Sequence, residues 1–227
     1  MNNEPYEYVR EMYMAHTTFR REFGLLPALI SGVSAADVAR AQIIAEHFEL
    51  IQTVLHHHHQ AEDTYLWPRI FSRADGDAAP VLAAMETQHA ELDKVLTDTA
   101  DGLRSWRETA DPARGAALAE TADRLRQLLA EHLTAEEEQA LPLIARYITA
   151  AEWAEMVAAS AADIAPEQMP LLFGLMTYEG EPEVVQVAID NMPAEVRPVM
   201  AGIAAEAFAR HAELVYGTAS PAKSSAL

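Results

Sequence analysis

The stretch Leu55–Pro68, LHHHHQAEDTYLWP, decides how the rest of this sequence is read. On a helix, His58 and Glu62 lie one turn apart on one face, so an imidazole and a carboxylate can reach a common metal ion. The spacing returns in His132-Leu-Thr-Ala-Glu136, and each glutamate is followed six residues on by a proline, Pro68 and Pro142. Consecutive helical residues point in different directions, so His56, His57, His58 and His59 cannot all face one site. His58 is the expected ligand. His57 and His59 are expected at solvated or interhelical positions, with support of a ligand carboxylate as the lesser alternative.

The surrounding composition is that of a helical, globular chain. Half of its 227 residues are hydrophobic, enough for a sizeable core. Sixteen Lys and Arg against 35 Asp and Glu leave a formal charge of -19, which opposes binding to nucleic acid or to an anionic membrane. Cysteine is absent, so disulfides, zinc–thiolate sites and iron–sulfur clusters are excluded, and any metal is held by nitrogen and oxygen. The opening MNNEPYEYVREMYM has no basic segment leading into an apolar one, and no stretch is long and apolar enough to span a membrane. A cytoplasmic location is the expectation.

Alanine, leucine, glutamate and arginine dominate and alternating β-branched runs are missing, so the fold class is all-α. A first helix is expected over Pro5 to about Ile30, bent or stopped near Gly24 and Pro27. After a turn at Ser31–Ser34, Ser34 or Asp37 caps a second helix reaching about Phe71. A turn near Ala74–Asp77 leads to a third helix, from about Pro80 to Arg107, with His89, Leu92, Val95 and Leu96 on its seam. Asp111-Pro112 opens a fourth that runs to about Tyr147. Four long helices with short turns predict an up-down-up-down bundle over residues 1–148. Thr149-Ala-Ala-Glu152 reads as a capping box. Residues 149–217 are expected to form a C-terminal helical extension packed on the bundle, and 218–227 a frayed tail.

The halves of the bundle match internally. His16 precedes His58, and His89 precedes His132, by nearly equal intervals, so each half offers a lone histidine on one helix and His-x-x-x-Glu on the next. Matching ligand sets imply two metals at one depth, held by His16, His58, Glu62, His89, His132 and Glu136. Four imidazoles and two carboxylates suit iron, manganese, zinc or copper, and facing carboxylates can bridge a pair of ions. Positions left open can bind small molecules. His47 lies about 16 Å upstream of His58 at 1.5 Å per residue and reads as a core histidine. Asp63, Glu137 and Glu138 read as a solvated acidic face, and His211 as structural or exposed.

These residues resemble the hemerythrin-like, or HHE cation-binding, family. The matching positions are His16 in HTTFRREF, His58 and Glu62 in HHQAEDTYLWP, His89 in HAELD, and His132 and Glu136 in HLTAEEEQALP. The resemblance covers roughly the first two-thirds of the chain. The later ITAAEW and FARHAELVYGT are similar, more weakly, to the C-terminal extension of bacterial members. It implies a centre of two iron ions, oxo- or hydroxo-bridged, with dioxygen, peroxide or nitric oxide as ligand and an unidentified redox partner. It further implies protection against oxidative or nitrosative stress, with a peroxidase- or catalase-like activity as one form of it. The alternative is oxygen or iron binding and sensing without turnover.

The sequence departs from the family's oxygen carriers at two places. Their third-helix histidine is followed one turn later by another, where this chain has Asp93, and that loss is expected to lower nitrogen donation and free a coordination position. Their fourth-helix carboxylate falls at the place of Glu137, whereas the spacing of Glu62 favours Glu136. Asp93 and Tyr65 are the remaining candidates for a place in the site, with a solvated acid and a packing tyrosine as the ordinary readings.

Overall fold

The computed structural model describes residues 9–74, 76–162 and 164–226. The expected helix start at Pro5 and the turn residue Asp75 lie outside these. Every described element is helical: α1 (Arg10–Ser31), α2 (Val38–Ala61), α3 (Trp67–Arg73), α4 (Ala79–Trp106), α5 (Pro112–Ala135), α6 (Leu141–Tyr147), α7 (Ala150–Ser160), α8 (Met169–Thr177), α9 (Pro182–Asp190) and α10 (Arg197–Tyr216).

The rods follow from local signals. The carboxylate of Asp37 caps α2 by accepting from the Arg40 N–H, and that of Asp111 caps α5 by accepting from the Arg114 N–H. Pro112 stands in the first turn of α5, where no donor is needed. Pro27 neither stops nor ends α1, which continues to Ser31, since one missing backbone donor is a local loss in a helix packed along its length. Ala36 and Ala110 both adopt left-handed backbone conformations in the turns, and the Ala36 N–H donates to the Ala110 carbonyl at 3.3 Å, tying two turns together.

Two interruptions matter for function. Between α2 and α3 lies a π-helical turn, Glu62–Leu66, and between α5 and α6 a second, Glu136–Ala140. The Trp67 N–H bonds back to the Glu62 carbonyl and the Leu141 N–H to the Glu136 carbonyl, one residue further than in an α-helix. The next residue in each case is proline, which has no N–H to give to an α-helical ladder. The wide turn therefore sits where that ladder lacks a donor, and α2–α3 and α5–α6 continue as rods.

The chain divides into two compact units, one built on Leu26–Ala162 and the other on Arg10–Leu25 with Asp163–Leu227. In the first, Ile44, Phe48, Ile51, Leu55, Leu66, Leu82, Met85, Leu92, Leu96, Leu125, Leu129 and Leu133 are buried at helical spacing and form the core of the bundle. Helix α7 belongs to this unit rather than to the C-terminal extension. The expected capping box is present, Glu152 is also held by Arg73, and Trp153 and Met156 are buried.

In the second unit, Gly174 of α8 lies so close to α10 that a Cβ there would collide with the Ala204 carbonyl oxygen. Phe173, Ile189, Met200 and Ala204 form its apolar core. Arg21 is fully buried. It donates to Glu22 at 2.6 Å, to Glu179 at 2.9 Å and to the Leu175 carbonyl at 2.7 Å, beneath the rings of Tyr178 and Phe208. The hydroxyl of Tyr216 donates to Glu22, and burial followed by the charge of Glu22 pushes that phenol far above its ordinary value. The expected frayed tail is instead anchored here. Pro221 is buried, its carbonyl accepts from Tyr178, and Ser224 donates to Glu179 through both its N–H and its hydroxyl. The reason is the buried charge: two carboxylates around one guanidinium need further donors, and the tail supplies them.

Candidate metal centre

Rods α2 and α5 end their regular turns on the repeated motif, and α4 passes between them. The stripe Ile44, Phe48, Ile51, Leu55 faces the core, and its continuation at the same spacing is His59, Glu62 and Leu66, all buried. His58 adjoins this stripe with its side chain 12% exposed. On α5 the corresponding residues are His132, Leu133 and Glu136, again buried, and on α4 His89 is buried between Met85 and Leu92. His16 is completely buried on α1.

The donor atoms form two groups. In one, those of His59, His89 and His132 lie within 4.8 Å of one another. The ring centroids are 4.1 Å apart for His59 and His89, 5.0 Å for His59 and His132, and 4.8 Å for His89 and His132. In the other, the donors of His58, Glu62 and Glu136 are gathered within the same limit. Glu62 faces both: its Oε1 is 3.1 Å from His58 Nε2 and its Oε2 is 3.6 Å from His89 Nε2. Glu136, of the second group, has its Oε2 3.7 Å from His132 Nε2 of the first.

The outer ring atoms are fixed by neighbours on other helices. His89 Nδ1 is 2.9 Å from Asp63 Oδ1, and His132 Nδ1 is 3.0 Å from Gln88 Oε1. A carboxylate or an amide oxygen only accepts, so each Nδ1 carries the hydrogen and each Nε2 turns a lone pair to the interior. His89 Nε2 and both oxygens of Glu62 are sealed from solvent and take no hydrogen bond among the described residues. Burial, and then the charge of Glu136 beside it, pushes the Glu62 carboxyl well above the usual carboxylate range. Buried lone pairs that converge without donors are costly unless a cation satisfies them. The nitrogen and oxygen donors fit a transition metal of the iron, manganese or zinc kind.

The structure brings His58, Glu62, His89, His132 and Glu136 together. Of the two fourth-helix candidates, Glu136 is the wholly buried one and Glu137 is half-buried. Asp93 is exposed and in neither group, and Tyr65 stacks its half-buried ring under Arg69, 5.7 Å away. His47 is a buried histidine as expected, and His56 is exposed.

Two residues differ from expectation. His59 is not a bystander but one corner of the three-histidine group. The signal was in the sequence: His59 continues the apolar stripe through Leu55, and it precedes Glu62 by three residues as His58 does by four. The acid therefore falls between two imidazoles that point to either side of it. Asp63, expected on a solvated face, keeps 42% of its side chain exposed yet holds His89. Only the fold shows that contact, since it joins residues on different rods.

No curated protein and no solved structure matches the chain. The model of the hemerythrin HHE cation binding domain matches residues 8–144, a span that ends in the first turn of α6 and takes in both His-x-x-x-Glu motifs with their π turns. By that match over more than half of its length, the chain belongs to the hemerythrin HHE cation-binding family.

Proposed function

We propose that this protein holds a pair of bridged iron ions and that its function is to bind and react with dioxygen, peroxide or nitric oxide. His59, His89 and His132 would hold one ion. His58 would hold the other. Glu62 and Glu136 would bridge them. The observation that carries the reading is the placement of Glu62, with one oxygen 3.1 Å from His58 Nε2 and the other 3.6 Å from His89 Nε2, so that a single carboxylate serves both groups. Iron held there would supply electron-transfer chemistry that no side chain of this cysteine-free chain provides.

The protein's own contribution is to orient and to seal. Asp63 and Gln88 fix two imidazoles, the π turns aim both glutamates inward, and Leu55, Leu66 and Leu133 close off solvent around the donors. If each ion takes about six donors, four imidazoles, two carboxylates and one solvent bridge leave positions open. A small molecule would enter where these residues leave the metal open.

His59 also favours a second reading. It restores the imidazole count lowered at Asp93, and a nitrogen-rich centre suits reversible binding or sensing as well as turnover. The test is to load the full chain with iron, count the metal, and follow the optical spectrum on adding dioxygen, peroxide or nitric oxide. Consumption of peroxide or nitric oxide above a His58→Ala control supports the reactive centre. A stable, reversible oxygenated spectrum without consumption supports the binder. A chain that takes up no iron overturns both.

A further inference from the structure

The two hydrogen bonds behind the imidazoles of the three-histidine group differ in one respect. His89 Nδ1 meets a carboxylate, Asp63, at 2.9 Å, whereas His132 Nδ1 meets a neutral amide, Gln88, at 3.0 Å. Both bonds cross between rods. Asp63 reaches from the π turn after α2 to α4, and Gln88 reaches from α4 to α5. Asp63 is next to Glu62 in the chain, so the turn that aims the bridging acid inward also aims its neighbour at a ligand of the adjacent helix.

We infer that Asp63 is a positioning residue that raises the donor strength of His89 toward the metal, leaving His132, backed by Gln88, the weaker donor. This rests on the reading of the cluster as a metal centre. A charged acceptor polarises the Nδ1–H bond and shifts electron density to Nε2, which a neutral amide does far less. The more basic imidazole favours the oxidised, more highly charged metal.

The full-length chain tests this through two readouts other than activity: metal affinity by competition with a chromophoric chelator, for iron(II) and separately for zinc(II), and the midpoint potential of the iron-loaded protein. Asp63→Asn keeps an acceptor oxygen but removes the charge. It is expected to weaken binding of either metal about 10-fold and to move the potential upward. Gln88→Glu is expected to move the potential downward, and the double variant to return it toward the original value, because both imidazoles serve one group.

The melting temperature of the metal-free Asp63→Asn chain is expected to match that of the parent, which a purely structural aspartate would not allow. Should Asp63→Ala fail to fold, the Asn variant still carries the comparison. Asp63→Asn with unchanged affinity and potential overturns the inference and leaves the metal centre standing. A parent that binds neither metal overturns the centre and the inference together. Binding of zinc without iron leaves the iron reading broken and the role of Asp63 decided by the zinc affinities.

Discussion

The two halves of the internal repeat share a backbone but not a donor set. LHHHHQAEDTYLWP and EHLTAEEEQALP both place a histidine four residues before a buried glutamate, both open into a π turn at that glutamate, and both follow it with a proline. Three residues before the acid, however, the first half has His59 and the second has Leu133, each buried. One backbone device thus serves two ends. On α2 it carries two imidazoles that diverge around Glu62, and on α5 it carries one imidazole and a core leucine. The third imidazole of the three-histidine group originates in that single difference.

The most damaging way to break the comparison is to remove what both groups share. Glu62→Ala deletes the carboxylate that faces both groups, and the expected outcome is loss of nearly all bound iron, measured by elemental analysis of the reconstituted chain. Next in size is the exchange that makes the halves alike. His59→Leu is expected to weaken one ion by at least about 100-fold, beyond what loss of an outer partner costs, while the other remains detectable by titration. Leu133→His gives α5 the extra imidazole, but in the metal-free chain it buries a polar ring, at a cost of about 2 kcal/mol read from chemical denaturation.

A smaller effect isolates the π turn. Pro68→Ala restores an N–H that can rebuild an α-helical ladder to Thr64. The metal-free chain is expected to gain about 1 kcal/mol and iron affinity to fall about 10-fold, the size of effect seen when a ligand's orientation is disturbed. Pro142→Ala is expected to do the same at Glu136. Equal effects at the two prolines mean that the turn is a common device, and unequal ones mean that the extra histidine of α2 stiffens its own half.

Much of this was legible beforehand because periodicity and spacing are local. The apolar stripes, the aspartate caps at Asp37 and Asp111, the capping box at Thr149 and the Glu62 and Glu136 pairings all follow from residues a few positions apart. What was not legible depends on neighbours distant in sequence. The role of Asp63 needs α4 beside α2, and the anchoring of Ser224 needs the buried charge of Arg21 and Glu179. His59 is the instructive intermediate case. Its place on the Leu55 stripe was readable, but a run of four histidines invites the choice of only one, and the choice that matched the second half hid the residue that breaks the match.

The last predicted effect concerns charge rather than ligand number. In the metal-free chain burial and Glu136 raise the Glu62 carboxyl above its unfolded value of 4.5. An acid raised on folding stabilises the protein below its unfolded value and loses that contribution as pH rises through the folded one, because folding then requires either an uptake of a proton or a buried charge. Stability of the metal-free chain is therefore expected to fall from pH 5 toward pH 8, with a slope from this group of at most about 1.4 kcal/mol per pH unit. Glu62→Gln removes that slope, and a bound cation removes it too by holding the carboxylate ionised in both conditions. Denaturation curves at the two pH values, with and without metal, measure all three cases. A slope that survives Glu62→Gln assigns the proton to another group and breaks the link between the buried Glu62 carboxyl and the pH dependence of the metal-free chain.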